Sequence, residues 1–263
     1  MQITFLGTGT SNGVPMVACA CPVCRSANPK NKRLRSSVLL AKNGKNLLLD
    51  ASLDLRQQAL RQDIRDLEAV LITHTHADHI FGLDEVRRYN VVHHKRIPVF
   101  LSAEADKELR QTMRYLYETP RQLGGGVSLL NNYILQPWQQ LEIAGCKVTA
   151  LPVKHGLLDI FGYRVDDFAY LTDCSFIPEE TFAALRGVAV VVLDALRDTP
   201  HPTHFSLAQA VAAAERIGAR QTFFTHIAHN LEHEAVNQKL PDGMQLAYDG
   251  LTLKIPEIYS RDI

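Results

Sequence analysis

The hydrophobic pattern of the chain is one of short apolar runs broken by glycine-rich and polar turns. Residues 2–6 alternate weakly and run into Gly7-Thr8-Gly9-Thr10-Ser11-Asn12-Gly13. That predicts a strand and a loop whose glycine spacing matches neither a dinucleotide nor a P-loop fingerprint. Residues 37–40 and 46–50 flank Lys42-Asn43-Gly44-Lys45. Asn-Gly between two apolar runs predicts a hairpin, because both residues tolerate positive φ. Ser52 reads as the N-cap of a helix with a stripe at Leu53, Leu55, Ala59 and Leu60. Residues 69–72 form the continuous apolar run expected of a buried strand.

A helix to about residue 88, a strand at 97–101 and a helix from 102 to about 115 are expected next. Residues 118–132, with Pro120 and Gly124-Gly125-Gly126, predict a loop long enough to act as a lid or partner surface. Short strands follow at 141–143, 147–151, 162–165 and 169–171, then a buried strand at 188–193, a helix at 207–217 and a strand at 222–224. A last hairpin is expected over 246–253, turning at Asp249-Gly250. Strand-rich halves interleaved with helices predict two packed sheets with helices outside, in a single domain over 1–263.

Composition narrows this to a soluble protein. With 46% hydrophobic and 21% charged residues the chain is not disordered. Lys+Arg and Asp+Glu are 28 each, so there is no basic footprint for long nucleic acid. No apolar run approaches the roughly 20 residues of a membrane span. The first residues carry no basic segment before an apolar stretch, so a cytoplasmic location is expected. An odd count of five cysteines without a secretion signal argues against a disulfide framework, and the closeness of Cys19, Cys21 and Cys24 points to a metal. The histidines cluster too, as His74, His76 and His79 and as His201, His204, His226, His229 and His233.

The central signal is Thr73-His74-Thr75-His76-Ala77-Asp78-His79, directly after a predicted strand. Imidazole nitrogens and a carboxylate are ligands that zinc prefers. In extended backbone His74 and His76 face the same side. A helix beginning after His76 would present Asp78 and His79 from its first turn, so one segment could serve two adjacent ions. A solvated histidine-rich turn is the plain alternative, and four ligand-type residues at one strand end weigh against it.

His74-x-His76-x-Asp78-His79 resembles the signature of the metallo-β-lactamase-fold hydrolases, which have an α/β (αββα) sandwich of two mixed sheets flanked by helices. Further matches follow in order at predicted strand ends: His155 in Leu151-Pro152-Val153-Lys154-His155, Asp173 in Tyr170-Leu171-Thr172-Asp173 and His226 in Thr222-Phe223-Phe224-Thr225-His226. The resemblance implies that His74, His76 and His155 hold one divalent ion, that Asp78, His79 and His226 hold a second, and that Asp173 bridges them. Two such ions about 3.5–4 Å apart share a hydroxide that attacks the substrate, and they draw charge from the group under attack. An acidic bridging ligand implies phosphodiester, thioester or lactone hydrolysis. The secreted β-lactamases often have Cys there, and flavodiiron relatives have Glu where this chain has His76, so hydrolysis is expected rather than drug resistance or redox chemistry.

Cys19-x-Cys21-x-x-Cys24 and His229, three residues after His226, would close a tetrahedral zinc site over the 19–24 loop. A closed shell has no place for substrate, so this zinc would be structural; three unrelated buried thiols are the alternative. With both features the chain resembles the PhnP-type phosphodiesterases, which hydrolyse 5-phosphoribosyl 1,2-cyclic phosphate. The matching stretches include Gly7-Thr8-Gly9, Gly13-Val14-Pro15, Thr225-His226-Ile227-Ala228-His229 and Leu240-Pro241-Asp242-Gly243. The resemblance implies a small cyclic phosphodiester substrate, of phosphoribosyl cyclic phosphate or 2′,3′-cyclic nucleotide type. It also implies manganese or zinc at the catalytic pair, one structural zinc and a homodimer. Asp78 and His204 would be catalytic, His204 as proton donor or phosphate contact, although a histidine before a helix start can also be a cap or surface residue.

Two departures from that family stand out: the segment 104–132 is long, and 256–263 runs past the last predicted hairpin. Asp50 and Asp194, at strand ends, are either partners of ligating histidines or turn aspartates. Cys146 and Cys174 read as structural, His93-His94-Lys95-Arg96 as a solvated turn, and His201 and His233 have no assigned task. Competing functions are a thioester or lactone hydrolase on the same ions, a transfer-RNA 3′ processing nuclease, and a zinc-stabilised binding module with a vestigial site. The nuclease would need a basic arm, and Arg121 is the basic residue that 118–132 offers.

Overall fold

The computed structural model describes residues 1–118 and 126–256. Strands β1 (Gln2–Gly7), β2 (Ser37–Lys42), β3 (Lys45–Leu49), β4 (Ala69–Leu71), β5 (Ile97–Ser102) and β6 (Leu130–Leu135) form one sheet in chain order. Strands β7 (Gln140–Ile143), β8 (Cys146–His155), β9 (Leu158–Val165), β10 (Phe168–Leu171), β11 (Val190–Asp194), β12 (Gln221–Thr225) and β13 (Met244–Leu246) form the other. A final strand, β14 (Thr252–Lys254), returns to the first sheet beside β1. Each sheet begins antiparallel and ends with parallel pairs, β3 to β6 in one and β10 to β13 in the other.

Continuous apolar runs form strands here because both faces of each sheet are covered. In β3, Leu47 and Leu49 enter the core between the sheets with Phe5, Tyr163 and Phe223, while Leu48 faces the outer helices with Leu6, Val70 and Leu83. In β11, Val190 and Val192 face inward, and Val191 and Leu193 pack outward near Ala210, Ala213 and Ala214. Those alanines belong to the longest helix of the second half, Leu207–Ile217.

The helices are α1 (Pro22–Arg25), α2 (Leu55–Arg61), α3 (Ala77–Ile80), α4 (Arg87–His93), α5 (Ala103–Thr112), α6 (Glu179–Ala184), α7 (Leu207–Ile217) and α8 (His233–Asn237). Helix α7 has the expected bounds because its signals are local: a capping box from Ser206 and Gln209 starts it, and Gly218 ends it at φ 67°. None of the helices among the described residues is long and apolar enough to cross a membrane.

Several expectations are corrected. The N-cap of α2 is Asp54, not Ser52. Ser52 is buried and its hydroxyl donates to Gln58 and accepts from the Asp54 N–H, so the chain turns once more before the helix begins. Leu53 and Leu60 are accordingly exposed. The 246–253 segment is not a hairpin, since β13 and β14 lie in different sheets. The crossing is held by Asp249, whose carboxylate accepts from Thr8 Oγ1 and from the Leu34 N–H, each at 2.8 Å. Finally, the expected loop at 118–132 ends in strand β6 from Leu130; residues 119–125 of that loop and the tail at 257–263 lie outside the described residues.

The helix expected up to residue 88 is also broken, into α3, a 3-10 stretch (Phe81–Val86) and α4. Gly82 shows why. Its N–H donates to the Ala51 carbonyl at 2.9 Å, and the Ala51 N–H donates to His79 at 2.8 Å. A Cβ on Gly82 would lie 2.1 Å from the Ser52 carbonyl oxygen. This close crossing brings His79 onto the end of β3. Gly82→Ala is therefore expected to cost about 1–3 kcal/mol by overpacking. It should lower the melting temperature and shift the His79–Asp50 contact; an unchanged melting curve would refute the requirement.

Candidate active site

The candidate ligands gather at strand ends. Asp50 follows β3, His74 lies just past β4, His155 ends β8, Asp173 follows β10, Asp194 ends β11 and His226 follows β12. In sheets of this kind the carboxyl ends of parallel strands open onto a shared crevice. Asp50, Asp173 and His226 take left-handed backbone at φ 59°, 54° and 58°. Each such position costs about 1 kcal/mol or more and turns a side chain out of the sheet toward the crevice.

Two donor sets result. His74, His76, His155 and Asp173 offer ligand atoms within 4.8 Å of one another, and so do Asp78, His79 and His226. His74 Nε2 and His76 Nδ1 are 3.0 Å apart, as period-two spacing in extended backbone requires. His76 is the N-cap of α3, so Asp78 and His79 emerge from the first turn behind it. Asp78 Oδ2 stands 3.3 Å from His79 Nε2 and 3.4 Å from His226 Nε2. Asp173 lies between the sets. Its Oδ1 is 3.2 Å from His79 Nε2, and its Oδ2 is 3.3 Å from His226 Nε2 and 3.7 Å from His74 Nε2.

The surrounding hydrogen bonds aim these rings. His79 Nδ1–H donates to Asp50 at 2.8 Å, and Asp50 is held in turn by the Thr73 N–H at 2.9 Å and by the Thr73 hydroxyl. His155 Nδ1–H donates to the Thr203 carbonyl at 2.8 Å. Asp50 and Asp194 are thus partners of site histidines rather than turn residues. Thr73 and Thr203 complete the set, and sequence reasoning missed both. Thr73 could have been suspected as part of the histidine motif, whereas Thr203 acts through its backbone and leaves no signal.

A divalent cation fits these residues on two observations. With Nδ1–H committed to Asp50, His79 presents the Nε2 lone pair to the oxygens of Asp78 and Asp173, and that buried nitrogen has no hydrogen-bond partner among the described residues. Lone pairs facing each other need a proton or a metal between them. Burial disfavours charge on His79, yet Asp173, Asp50 and Asp78 outweigh it and hold the ring well above the ordinary imidazole pKa. Burial likewise opposes charge on His226, which Asp173 and Asp78 nonetheless raise to about 9. Surroundings that hold protons so firmly also favour a divalent ion in their place.

His204 sits at the edge of this cluster. Its ring stacks on His226 with centroids 4.9 Å apart, and its Nδ1 pairs with Asp194 at 2.9 Å. Burial, with charge on His226 beside it, pushes His204 down to about 4, and burial pushes Asp194 well above the carboxylate range. The two are joined by a hydrogen bond of ordinary length. A nitrogen of His204 also lies within 4.8 Å of donor atoms of Asp173 and His226, so geometry alone allows it to be a ligand as well as a proton carrier.

The second cluster lies nearby. Cys19, Cys21, Cys24 and His229 converge, with His229 Nδ1 at 3.1, 3.4 and 3.7 Å from the three sulfurs. Helix α1 makes this possible: Cys21 is its N-cap, Pro22 its first residue, and the Cys24 N–H donates to Cys21 Sγ. That N–H brings the Cys21 thiol down to about 6, while burial pushes Cys24 up to about 11. Bonds of about 2.0–2.3 Å to a central zinc would set ligand atoms about 3.5 Å apart, close to what is seen. Cys146 and Cys174 are buried in the apolar core as expected. His233 accepts from buried Arg33 at 3.1 Å, and His93 and Lys95 sit on Arg65 and Asp66 at the surface.

Known proteins carry the same architecture. A family described as "Beta-lactamase superfamily domain" matches residues 45–227. The octanoyltransferase of Porphyromonas gingivalis is 35% identical over 260 residues, which is 98% of this chain and 52% of that protein. The chain thus spans about half the length of that relative. The crystal structure of a diphosphatase from the PhnP family superposes with a TM-score of 0.89 at 41% identity, over 96% of each chain. Zn(2+)-bound PqqB from Methylobacterium extorquens shares the fold, with a TM-score of 0.81 at 20% identity over 97% of this chain and 100% of that one. The chain belongs to the beta-lactamase superfamily and has the metallo-β-lactamase fold.

Proposed function

We propose that the protein is a dinuclear phosphodiesterase for a small cyclic phosphodiester, a phosphoribosyl cyclic phosphate or a 2′,3′-cyclic nucleotide. The observation that carries the reading is Asp173, whose two oxygens reach both donor sets. His74, His76 and His155 would hold one ion, Asp78, His79 and His226 the other, and Asp173 both. When bound, divalent ions here supply Lewis acidity, acidifying water and withdrawing charge from phosphoryl oxygens. Zinc and manganese both suit an imidazole and carboxylate set. Cys19, Cys21, Cys24 and His229 would hold a separate structural zinc.

The chain's own residues do the positioning. Asp50 and Thr203 fix the rings of His79 and His155, which keeps their other nitrogens turned to the centre. Water attacks phosphorus and gives up a proton to the surrounding solvent, the bond to the leaving oxygen breaks, and that oxygen takes a proton. His204, linked to Asp194, would hand it over, so that the ring opens to a phosphate monoester with the freed hydroxyl on the same molecule. Exposed His76 marks the side from which substrate enters.

The test is a panel of substrates on the manganese-loaded and zinc-loaded protein: a 2′,3′-cyclic nucleotide, phosphoribosyl cyclic phosphate, an aryl phosphodiester, a precursor transfer RNA and an octanoyl thioester. The last is included because the relative from Porphyromonas gingivalis is named as an octanoyltransferase. Fast turnover of a cyclic phosphate, with none of the thioester, is the expected result. Turnover of the thioester or of RNA alone would replace the reading.

A further inference from the structure

A pocket of about 290 Å³ opens beside His204, on the face of that ring shared with the glycine-rich N-terminal loop. Asn12, Met16, Arg197, His201 and Asn230 are among the residues that line it. The walls are tied together. The Thr10 N–H donates to the Ile227 carbonyl at 3.2 Å, the Ala228 N–H donates to Leu196 at 2.9 Å, and Arg35 Nε donates to the Ser11 carbonyl at 3.0 Å. The lining contains cationic and neutral groups but no carboxylate.

Two of the lining side chains are held ready as donors. The Thr203 N–H donates to His201 Nδ1 at 3.3 Å, so the neutral ring carries its own proton on Nε2. Arg197 donates from Nε to the Thr199 carbonyl at 3.2 Å and from Nη2 to the Pro200 carbonyl at 2.8 Å, which braces the guanidinium in the pocket wall. The same loop then supplies Thr203 to His155 and His204 to Asp194. His201 and His204 have ring centroids 5.2 Å apart, so a group held by His201 lies next to the ring that faces the leaving oxygen.

We infer that this pocket receives the sugar that carries the leaving oxygen and that Arg197 and His201 select substrates in which that sugar bears a phosphate of its own. The inference rests on the phosphodiesterase reading and adds to it which residues read the substrate and by what charge. Arg197 would meet the phosphate as a charge-assisted donor, and His201 would add a directional hydrogen bond. Both act on binding, not on the reacting atoms.

The experiment has two parts, so that the pocket and the reaction can fail separately. Calorimetry first compares ribose 5-phosphate with ribose on the metal-loaded protein and on Arg197→Ala and His201→Asn variants. Ribose 5-phosphate is expected to bind, ribose to bind at least tenfold more weakly, and each variant to lose at least tenfold of the difference without change in melting temperature or metal content. Equal binding of the two sugars, or variants indistinguishable from the parent, would overturn the pocket whatever the enzyme hydrolyses. Steady-state kinetics then compare uridine 2′,3′-cyclic phosphate with and without a 5′-phosphate. The variants should raise KM at least tenfold for the phosphorylated substrate and less than threefold for the other, with kcat little changed. A fall in kcat on both substrates would show instead that the loop merely supports His204 and would reject the selectivity role. Binding without turnover of either diester would sink the phosphodiesterase reading and leave the anion pocket standing.

Discussion

An Asp173→Asn variant is expected to lose turnover by on the order of 10³-fold or more, which corresponds to about 4 kcal/mol of transition-state stabilisation. Asparagine is the informative replacement. It keeps the size of the side chain and tolerates the left-handed backbone at φ 54°, so the fold should survive. What it removes is the charge that both donor sets face across 3.2 to 3.7 Å. His226 would lose the carboxylate that does most to hold its pKa at about 9 against burial, and bound metal at the catalytic cluster should fall together with turnover. Metal analysis, melting curves and kinetics on the same sample check this. Activity within tenfold of the parent, with metal retained, would rule out Asp173 as the shared ligand.

A Cys24→Ser variant is expected to behave in the opposite way. Serine cannot supply the thiolate, so the site holding Cys19, Cys21, Cys24 and His229 should release its zinc. A structural zinc contributes folding free energy directly. Loss of even about 3 kcal/mol should lower the melting temperature of a chain this size by roughly 10 °C. Turnover per folded molecule should persist, because no cysteine of this cluster reaches the histidine and aspartate set. KM is expected to rise, since His229 also lines the pocket beside His204. Zinc content unchanged by the substitution, or a melting temperature within a degree or two, would refute a structural zinc at these residues.

The legible part of the site was what short-range geometry controls. His74 and His76 share a side because strand residues alternate, and Asp78 and His79 follow because a helix can begin at once after them. The strand ends carrying Asp173 and His226 could be found from apolar runs, since those strands are buried on both faces, whereas the strand of His155 alternates buried and half-exposed positions. Ser52 misled because serine before an apolar stripe is the usual cap signal; its hydroxyl instead binds Gln58 in the core. Asp249-Gly250 misled in the same way. A turn signal between two apolar triplets says that the chain turns, not that the triplets pair, and here Asp249 reaches Thr8 and Leu34 instead.

By itself the sequence offered the candidate ligand residues, their order along the chain and two packed sheets with helices outside, because those rest on residue type, periodicity and spacing within a few residues. Tertiary structure decided that Asp50 and Asp194 face histidines and that β14 crosses to the first sheet. It also made the pocket of His201 and Arg197, which no spacing announces. Each of these rests on contacts between residues far apart in the chain. Such contacts are set by how two seven-stranded sheets pack and by where the backbone can take left-handed φ, and neither is written in a local pattern.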